Sequence, residues 1–579
     1  TESKMTSLED LFRCFDTEEN RRILKHLDLN IDVLSLIWHH INPFVLNALD
    51  YKIQNINRLA QDTSVSPLQR AVTAMGKFGK LSESEVTTPL PVAEAVIRML
   101  SDDCFLSLRD DSCRILDLAS KMGEFAIAVC KRCEELGIDR SRAAASVAAV
   151  TTSPVAYEFT RKVYRVLGLC TDSIAAAFYS RDLPEFVDQR EDGAQKLTKI
   201  LTQAKPMCEI KFSDEAAEEE EKAVKFNAVV GNPPYQEESQ AESTSNGQKP
   251  RRNIFHYFQK QAMLLSEETA LIFPGERWLH QSGKGLKSFG KSLINDVRLK
   301  KVVFYPDSRE LFPATDIPDG ISIVVTERTK TASGFEYEYI TEEEDIILQR
   351  SNPGDELLIL NPHDISIVEK AKAFTKNYRL PFLHESILPR SLFGIESDFI
   401  EKHPDQVRLY TEETGIDYDT EVKLLANDQA GPAGRSRWFV VGREHIRQNR
   451  EYLDQWQVVV SSAHPGGQDG RDNQIAVADN HSAFGRSRVA LKSFDTKEEA
   501  EHFRNYAESS LIRYLFLMTD ESLSSLAKLV PDVKDYSENN SFLDFTKPMD
   551  LQLYRLMQLE DAQIRYIESK VSKKDRESR

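Results

Sequence analysis

The feature that most limits the folds open to this chain is an alternation of short β-rich runs with amphipathic helical stretches between residues 86 and about 340. Such alternation predicts βαβ units and a mostly parallel sheet with helices on both faces. We therefore predict an α/β fold for this region. The predicted strands are Arg114–Leu118, Val147–Thr151, Ile174–Phe178, Phe226–Val230, Ala270–Phe273, Lys301–Tyr305 and Ile321–Thr326.

The spacing of apolar residues divides the chain into three predicted regions. Residues 1–85 carry helical apolar spacing, for example at Leu8, Leu11 and Phe15, and predict an N-terminal helical bundle. Residues 86–345 form the predicted α/β domain. Residues 346–579 lack βα alternation and end in a helical stretch after Asp550, so they predict a C-terminal domain of mixed α+β structure.

Composition restricts the class of protein further. With 579 residues, of which 41% are hydrophobic and 29% charged, the chain is predicted to be a soluble globular protein with several cores. No run approaches the roughly 18 apolar residues of a membrane span. The N-terminal TESKMTSLED shows no secretory signal, so we expect a cytoplasmic protein. Thr1 is compatible with a sequence that begins inside a longer polypeptide or after a removed tag.

No metal site is predicted. The seven cysteines are scattered, and Cys130 and Cys133 form a C-x-x-C without a second pair at zinc spacing, so we interpret them as reduced thiols. A loose P-D and E-x-K nuclease pattern lies at Pro404-Asp405 and Glu421-Val422-Lys423. Carboxylates are abundant in this acidic chain, so this pattern carries no prediction of nuclease activity.

The motif that indicates chemistry is Asn232-Pro233-Pro234-Tyr235, which directly follows the apolar run 226–231. An exocyclic amine conjugated to a purine is a poor nucleophile until its lone pair is freed from the ring. Two acceptors on its hydrogens do this, and the Asn232 side-chain oxygen and the Pro233 carbonyl can supply them. The prolines fix the backbone direction, and the Tyr235 ring can stack on an extruded base, a contact worth roughly 1–3 kcal/mol.

Taken alone, this tetrapeptide is also ordinary turn chemistry, and its context favours the functional interpretation. About 110 residues earlier, a strand containing Asp117 leads through a turn to Gly123 and a helix, where a methyl donor would lie. Further upstream, Thr88 precedes Pro89 and another helical stretch, and we predict that Thr88 is the N-cap of that helix. The three motifs in this order are far less common by chance than any one of them.

In these motifs the chain resembles the adenine-N6 DNA methyltransferases of restriction-modification systems, with the donor-binding region first and the target-recognition domain last. The resemblance runs from about residue 85 to the C-terminus. It is strongest to the methylase part of large single-chain restriction-modification proteins, in the segments Val150–Leu169, Phe226–Gln236 and Asp550–Glu568. It implies a Rossmann-like sheet with S-adenosylmethionine as cofactor. It also implies double-stranded DNA as partner, with nuclease or helicase functions on partner subunits or upstream domains.

The resemblance also implies roles for individual residues. The methyl-transfer site would be formed by Asn232, Pro233, Pro234 and Tyr235. The methyl donor would be contacted by Thr88, Pro89, Asp117, Ala119, Lys121, Gly123 and Phe125, with Asp182 near its adenine. The amphipathic helix from Phe255 to Leu265 and the strand Leu271–Pro274 match the later scaffold of the family.

Two departures from the family pattern concern the methyl donor. Lys121 stands where the first glycine of the donor loop is usual, and it would either pair with the carboxylate of the donor or obstruct the pocket. The strand Val147–Thr151 ends in Thr151, Thr152 and Ser153, without the acid that would bind ribose hydroxyls. We therefore expect weak or conditional donor binding.

DNA contacts are expected from local basic clusters, because the net charge of −18 excludes a uniformly basic surface. The polar segment Glu237–Arg252 predicts a mobile loop with a basic end. Arginines of the C-terminal region have side chains suited to base edges and phosphates. The predicted DNA-contacting residues are Lys249, Arg251, Arg252, Arg435, Arg437, Arg471, Arg486 and Arg488.

We therefore predict a site-specific DNA adenine-N6 methyltransferase that acts on a flipped-out adenine in a restriction-modification or phage-defence context. Two alternatives stay open. One is a noncatalytic DNA-recognition or assembly subunit with a degenerate methyltransferase fold, which the two departures favour. The other is an N-P-P-Y methyltransferase acting on protein glutamine or RNA. The more than 200 residues after 340 count against this second alternative, because such enzymes resemble a lone catalytic domain.

Overall fold

The structure is a computed structural model that describes residues 64, 66–69, 71, 86–106, 108, 115–144, 146–152, 154–178, 226–238, 251–462, 475–519, 523 and 525–571. The predicted N-terminal bundle, residues 1–85, therefore lies almost entirely outside the described residues. The chain divides into two compact units, one formed by 1–278 and 288–354 and the other by 279–287 and 355–579. No helix in the described ranges is long and apolar enough to cross a membrane.

The first unit alternates strands and helices along the chain, as predicted. Its helices are α1 (Leu90–Arg98), α2 (Asp103–Leu106), α3 (Glu124–Glu135), α4 (Arg140–Ala144), α5 (Pro154–Leu167), α6 (Phe255–Leu265), α7 (Glu276–Leu279) and α8 (Lys287–Ile294). Its strands are β1 (Ile115–Ser120), β2 (Val147–Thr151), β3 (Ile174–Phe178), β4 (Phe226–Gly231), β5 (Gln236–Glu238), β6 (Arg251–Asn253), β7 (Ser266–Pro274), β8 (Leu299–Tyr305), β9 (Ile321–Glu327), β10 (Phe335–Ile340) and β11 (Asp345–Arg350).

Nine of these strands form one sheet in the order β11-β10-β8-β9-β7-β4-β1-β2-β3. The pairs β1 with β2, β1 with β4, β8 with β10, β2 with β3 and β4 with β7 are parallel. Three further pairs, β10 with β11, β7 with β9 and β8 with β9, are antiparallel. The predicted α/β fold with a mostly parallel sheet is therefore confirmed, and all seven predicted strands are present within a few residues of their predicted bounds.

The strands β1, β2 and β4 are buried along nearly their whole length, as expected for the centre of a parallel sheet. Helices α1, α3 and α5 contribute Val96, Phe125 and Val163 to the same buried cluster as Ile115 and Ala228 of the central strands. Cys130 and Cys133 also lie in this cluster, on α3, and are free thiols. The C-x-x-C is thus part of the core packing.

Two antiparallel strands at the far edge of the sheet were not predicted. β10 alternates buried aromatic residues with glutamates, and β11 pairs with it residue by residue from Phe335↔Arg350 to Ile340↔Asp345. The acidic residues 342–344 lie in the connection between them, and Asp345 is the first residue of β11. The first compact unit consequently extends to Gly354, past the predicted boundary at 345, which coincides with the start of β11.

The second unit is mixed α+β. A four-stranded sheet has the order β12-β14-β13-β17 and a three-stranded sheet the order β16-β15-β18. These strands are β12 (Val407–Leu409), β13 (Glu421–Asn427), β14 (Ser436–Gly442), β15 (Trp456–Ser461), β16 (Ala476–Ala478), β17 (Ser482–Phe484) and β18 (Arg488–Phe494). Its helices are α9 (Ile365–Asn377), α10 (Phe399–Lys402), α11 (Lys497–Glu508), α12 (Ser510–Leu517), α13 (Met549–Leu556) and α14 (Asp561–Val571). The last two form the expected C-terminal helical stretch.

Gly320, at the end of the loop before β9, offers a test of the sheet geometry. Its φ is +64°, and a Cβ there would lie 2.4 Å from the Tyr305 carbonyl oxygen of β8. Gly137 has nearly the same φ, +71°, but open space around its Cβ position. We expect Gly137→Ala to lose about 1–2 kcal/mol of unfolding free energy from backbone strain alone, and Gly320→Ala to lose roughly 1–3 kcal/mol more from the clash.

Urea unfolding of the two alanine variants, followed by circular dichroism, measures this difference. Equal losses for the two variants would contradict the close approach of β8 and β9 at this turn.

Candidate functional site

Three chain segments meet at the carboxyl edge of the sheet because their strands are neighbours. β1 lies between β4 and β2, and all three run parallel. The chain leaves β1 toward β2 on one side and enters β4 on the other, which makes the β1–β4 crevice a topological switch point. Ligands of open α/β sheets bind at such a crevice. The Asn232-Pro233-Pro234-Tyr235 turn after β4 and the turn before Gly123 therefore share one edge.

Asn232 is buried, with only 2% of its surface exposed. Its Nδ2 donates a hydrogen bond to Thr88 Oγ1 at 3.3 Å, whereas its Oδ1 is buried and has no hydrogen-bond partner among the described residues. A buried carbonyl oxygen that accepts no hydrogen bond is costly. Its presence therefore indicates a site at which a ligand donates the hydrogen bond. This is the acceptor that the predicted chemistry needs.

Thr88 does not cap the helix that follows it. The residue before α1 is Pro89, and no side chain caps this end of the helix. The predicted N-cap role is therefore wrong, and the buried Thr88 hydroxyl instead accepts the hydrogen bond from Asn232, 144 residues away. The residue belongs to the site through its contact with the amide.

The ring of Tyr235 is partly exposed, whereas its hydroxyl is buried. The residue is partly exposed, but its phenol oxygen is buried and lacks a partner in the described part of the chain. Burial raises the pKa of the Tyr235 phenol far above its usual value, against a smaller opposite effect from Asn232. The phenol is therefore neutral at any physiological pH, and the ring is the group that faces the cavity.

Asp117 lies within β1 and not at its end as predicted, because the strand continues to Ser120. Its Oδ1 accepts from the Ala119 backbone N–H at 3.2 Å, and its Oδ2 is buried without a partner in the described ranges. Gly231, with φ +141°, lies against it, since a Cβ on Gly231 would be 3.1 Å from Asp117 Oδ1. Burial raises the pKa of the Asp117 carboxyl well above its ordinary value, and the neighbouring Glu124 carboxylate adds to the rise.

The turn between β1 and α3 is closed by its own side chains. Ser120 Oγ accepts from the Gly123 backbone N–H at 3.1 Å, and Glu124 Oε2 accepts from the Met122 N–H at 2.8 Å. Gly123 has φ +77°, and a Cβ there would contact Val163 Cγ1 at 2.9 Å, so the position requires glycine. Lys121 donates from Nζ to the Val86 carbonyl oxygen.

A cavity of about 580 Å³ opens beside these segments. The tetrapeptide contributes all four of its residues, and the donor loop contributes Lys121. Thr152, at the end of β2, lines it from the position where a ribose-binding acid was missing. Four other residues predicted to contact the methyl donor are buried and do not line the cavity: Asp117, Ala119, Gly123 and Phe125. Asp117 lies against Gly231, the residue before the Asn232–Tyr235 turn.

Sequence reasoning missed the opposite wall of the cavity. The additional lining residues are Val86, Gln236, Asn253, Pro274, Arg277, Asp316, Ile317, Pro318 and Asp319. Arg277 forms an ion pair with Asp319 at 3.3 Å, and Gln236 Nε2 donates to Asn253 Oδ1 at 3.2 Å. These residues come from the segment before α1, the β5–β6 ribbon, the end of β7, α7 and the β8–β9 loop, so no local sequence pattern connects them.

The predicted DNA contacts have mixed outcomes. Arg435 donates to the Pro432 and Gly434 carbonyls, while the exposed Arg437 and Arg486 form ion pairs with Asp428 and Glu396. Arg488 is buried and donates to Ser436 Oγ at 3.3 Å, which removes it from the predicted contacts. The residues outside the described part of the chain are Asp182, Lys249 and Arg471; of Arg251 and Arg252 only the backbone, in β6, is described.

The polar segment 237–252 is framed by structure that was not predicted. β5 and β6 pair antiparallel with Gln236 opposite Asn253 and Glu238 opposite Arg251. The interior of the segment lies outside the described residues. The residues of the loose nuclease pattern are engaged elsewhere, since Glu421 pairs with Arg408 and Lys423 with Asp479. No cluster of three metal-ligating side chains occurs in the described ranges.

Residues 143–312 match the family model described as the Eco57I restriction-modification methylase. The matched segment begins in α4, contains β2 to β8 and includes the whole Asn232-Pro233-Pro234-Tyr235 turn. The chain therefore carries a methylase domain of the restriction-modification type, which confirms the predicted class. No curated protein sequence matches the chain.

Solved structures that resemble the chain are distant in sequence. The methyltransferase subunit of a type I restriction-modification system from Streptococcus thermophilus is 14% identical, with 59% of this chain and 67% of that chain covered and a TM-score of 0.33. DrdV, in a complex with DNA, is 10% identical, with 91% and 62% covered and a TM-score of 0.41. MmeI, a type IIL restriction-modification enzyme in complex with DNA, is 10% identical, with 88% and 79% covered and a TM-score of 0.38. The chain also covers 58% of a modification subunit from Vibrio vulnificus YJ016.

Methylases of the restriction-modification type take their methyl group from S-adenosylmethionine, and the residues at this edge fit that cofactor. Lys121, which lines the cavity, is a buried cation suited to a carboxylate. Asp117 Oδ2, a buried acceptor without a hydrogen-bond partner among the described residues, does not line the cavity. The end of β2 supplies Thr152 in place of an acid, so a ribose would meet hydroxyl chemistry there. The cavity therefore offers one cation for the carboxylate of the cofactor on the β1 side and a hydroxyl in place of an acid on the β2 side.

The Asn232–Thr88 hydrogen bond makes a prediction for stability. Thr88→Val would leave Asn232 Nδ2 buried without its acceptor, so we expect a loss of about 1–3 kcal/mol of unfolding free energy. Thr88→Ser keeps the hydroxyl and should cost less than half as much. Chemical denaturation of the three proteins under identical conditions tests this, and equal losses for the two variants would show that the hydroxyl does not hold the amide.

Proposed function

We propose that the chain is a site-specific DNA adenine-N6 methyltransferase of a restriction-modification or phage-defence system. The observation that carries the proposal is Asn232, which lines the cavity with the rest of the Asn232–Tyr235 turn and whose buried Oδ1 has no hydrogen-bond partner among the described residues. An acceptor fixed in that position can draw the lone pair of a conjugated nitrogen out of conjugation, which the exocyclic amine of adenine requires. The match of residues 143–312 to a restriction-modification methylase supports DNA as the substrate.

In the proposed mechanism, a target adenine leaves the duplex and stacks on the partly exposed Tyr235 ring. Its amino group donates to Asn232 Oδ1 and to the Pro233 carbonyl, which draws the nitrogen lone pair out of conjugation with the ring. S-adenosylmethionine, when bound, supplies an activated methyl group as a sulfonium. Thr88 acts as a positioning residue, because its hydroxyl holds Nδ2 and thereby directs Oδ1 toward the substrate.

The second compact unit is proposed as the target-recognition domain. Its exposed Arg437 and Arg486 are paired only at the surface, where an ion pair is worth about 0–1 kcal/mol and is readily exchanged for a phosphate or a base edge. Lys249, Arg251, Arg252, Arg435 and Arg471 remain proposed contacts of the same kind. Nuclease or helicase functions are proposed to lie on partner subunits or on other parts of a longer protein.

A second candidate is a noncatalytic DNA-recognition or assembly subunit with the same fold. The specific observation in its favour is Lys121, which lies in the cavity at the position of a family glycine and is anchored on the Val86 carbonyl. Under this candidate the fold and the DNA contacts persist without methyl transfer. One experiment distinguishes the two candidates, because only the first predicts methyl transfer.

The experiment is transfer of a radiolabelled methyl group from S-adenosylmethionine to unmethylated genomic DNA, to total RNA and to a protein extract. We expect labelling of DNA, with N6-methyladenine as the product by mass spectrometry. Asn232→Ala should reduce the rate at least about 100-fold, by analogy with the loss of one preorganised polar group at a reaction centre. Asn377→Ala, an exposed asparagine at the end of α9, is the matched control and should leave the rate unchanged.

Incorporation by Asn232→Ala equal to that of the wild-type chain would refute the site. DNA binding without incorporation by the wild-type chain would establish the noncatalytic candidate. Label in RNA or protein and not in DNA would establish the alternative of an N-P-P-Y methyltransferase that acts on protein glutamine or RNA.

A further inference from the structure

In the loop between β1 and α3, backbone N–H groups already donate hydrogen bonds to side chains of the same loop. Glu124 is the first residue of α3 and is 1% exposed, and its Oε2 accepts from the Met122 N–H at 2.8 Å. The amides of Lys121 and Glu124 also act on this carboxyl and lower its pKa, against burial, which raises it. A helix N-terminus with free amides is a ready anion site, but here an internal carboxylate occupies it.

Lys121 is the cation placed beside that carboxylate. It is 9% exposed, lines the cavity together with Asn232 and Val86, and belongs to the same turn as Glu124. Its charge lowers the pKa of both Asp117 and Glu124, so it lies within electrostatic reach of each. Its φ is not positive, since Lys121 is not among the described non-glycine residues with positive φ. A lysine is therefore compatible with this turn without a left-handed backbone.

The charges of the turn match a particular ligand. The turn holds two carboxyl groups, Asp117 and Glu124, whose pKa values are raised by burial, and one cation, Lys121, that lowers both. S-adenosylmethionine carries a sulfonium, an ammonium and a carboxylate, a net charge of +1. A ligand carboxylate near this turn would find the Met122 amide already bonded to Glu124, and the cation that lines the cavity to meet it is Lys121.

We infer that Lys121 is the residue that binds the carboxylate of the methyl donor, in place of the loop amides that Glu124 occupies. The inference rests on the proposed function for the identity of the donor. It assigns Lys121 a specificity role: a donor that carries an α-carboxylate is accepted, and one that lacks it loses a charge-assisted contact. It also relates Lys121 to Glu124, because the glutamate occupies the Met122 amide and the lysine supplies a cation in its place.

The test compares two ligands by isothermal titration calorimetry of the full chain, with and without unmethylated DNA. S-adenosylmethionine is set against decarboxylated S-adenosylmethionine, which keeps the sulfonium and the ammonium. We expect the wild-type chain to bind the first about 10- to 100-fold more tightly, the range of a hydrogen bond to a charged group. Lys121→Met should weaken S-adenosylmethionine by a similar factor and leave the decarboxylated ligand within about threefold.

Two further variants control for structure. Lys131→Met removes a lysine of α3 that is ion-paired with Glu94 and should change neither affinity. Lys121→Arg keeps the charge and should retain most of the preference, which guards against loss of folding in Lys121→Met. Circular dichroism of each variant reports the fold independently of the ligand.

The outcomes separate this inference from the proposed function. Equal binding of both ligands by the wild-type chain overturns the role of Lys121 and leaves methyl transfer intact. Tighter binding of S-adenosylmethionine by Lys121→Met also overturns it, because the lysine would then obstruct the site. Binding of neither ligand to the wild-type chain, with or without DNA, overturns both the inference and the proposed function.

Discussion

The site depends on the parallel pairing of β1 with β4, which is established by backbone hydrogen bonds from Ile115↔Ala228 to Asp117↔Val230. This register places Gly231 against the Asp117 carboxyl, because a Cβ on Gly231 would lie 3.1 Å from Asp117 Oδ1, closer than an ordinary van der Waals contact. The turn that begins at Asn232 therefore starts beside the turn that begins at Lys121. An acceptor for an amine and a charged pocket for a methyl donor become neighbours because two strands far apart in sequence share one edge.

Much of the first unit was predictable because its strands are short, apolar and separated by helical spacing. Strands such as Val147–Thr151 are fully buried, and a buried strand requires a continuous apolar run that is visible in the sequence. β10 was missed, although Phe335, Tyr337 and Tyr339 alternate with glutamates, the pattern of a strand with one solvated face. The glutamates at alternate positions gave this segment a charged composition that is unusual for a strand of a parallel sheet. β5 and β6 carry no apolar signal, because each is only three residues long.

The site was predictable only where its residues are contiguous. The Asn232–Tyr235 turn and the Gly123 turn were identified from local sequence, whereas the contact between Asn232 and Thr88 spans 144 residues and no local rule indicates it. Helix-capping statistics favoured Thr88 as an N-cap, but Pro89 ends the nonhelical segment and frees the hydroxyl for a tertiary contact. The wall formed by Asp316, Ile317 and Asp319 has the composition of an ordinary loop. Its role follows from topology alone.

Glu124 and Lys121 are better understood as one arrangement than as two independent features of the turn between β1 and α3. A buried glutamate on the loop amides would by itself repel an anionic ligand group, and a buried lysine alone would lack compensation for its charge. Glu124 and Lys121 carry opposite charges in the same turn, so together they add no net charge to that of Asp117. Each buried charge costs free energy that an apolar residue would not, and the opposite charge beside it offsets part of that cost. The proposed carboxylate contact would give Lys121 a further anionic partner and offset more of the cost.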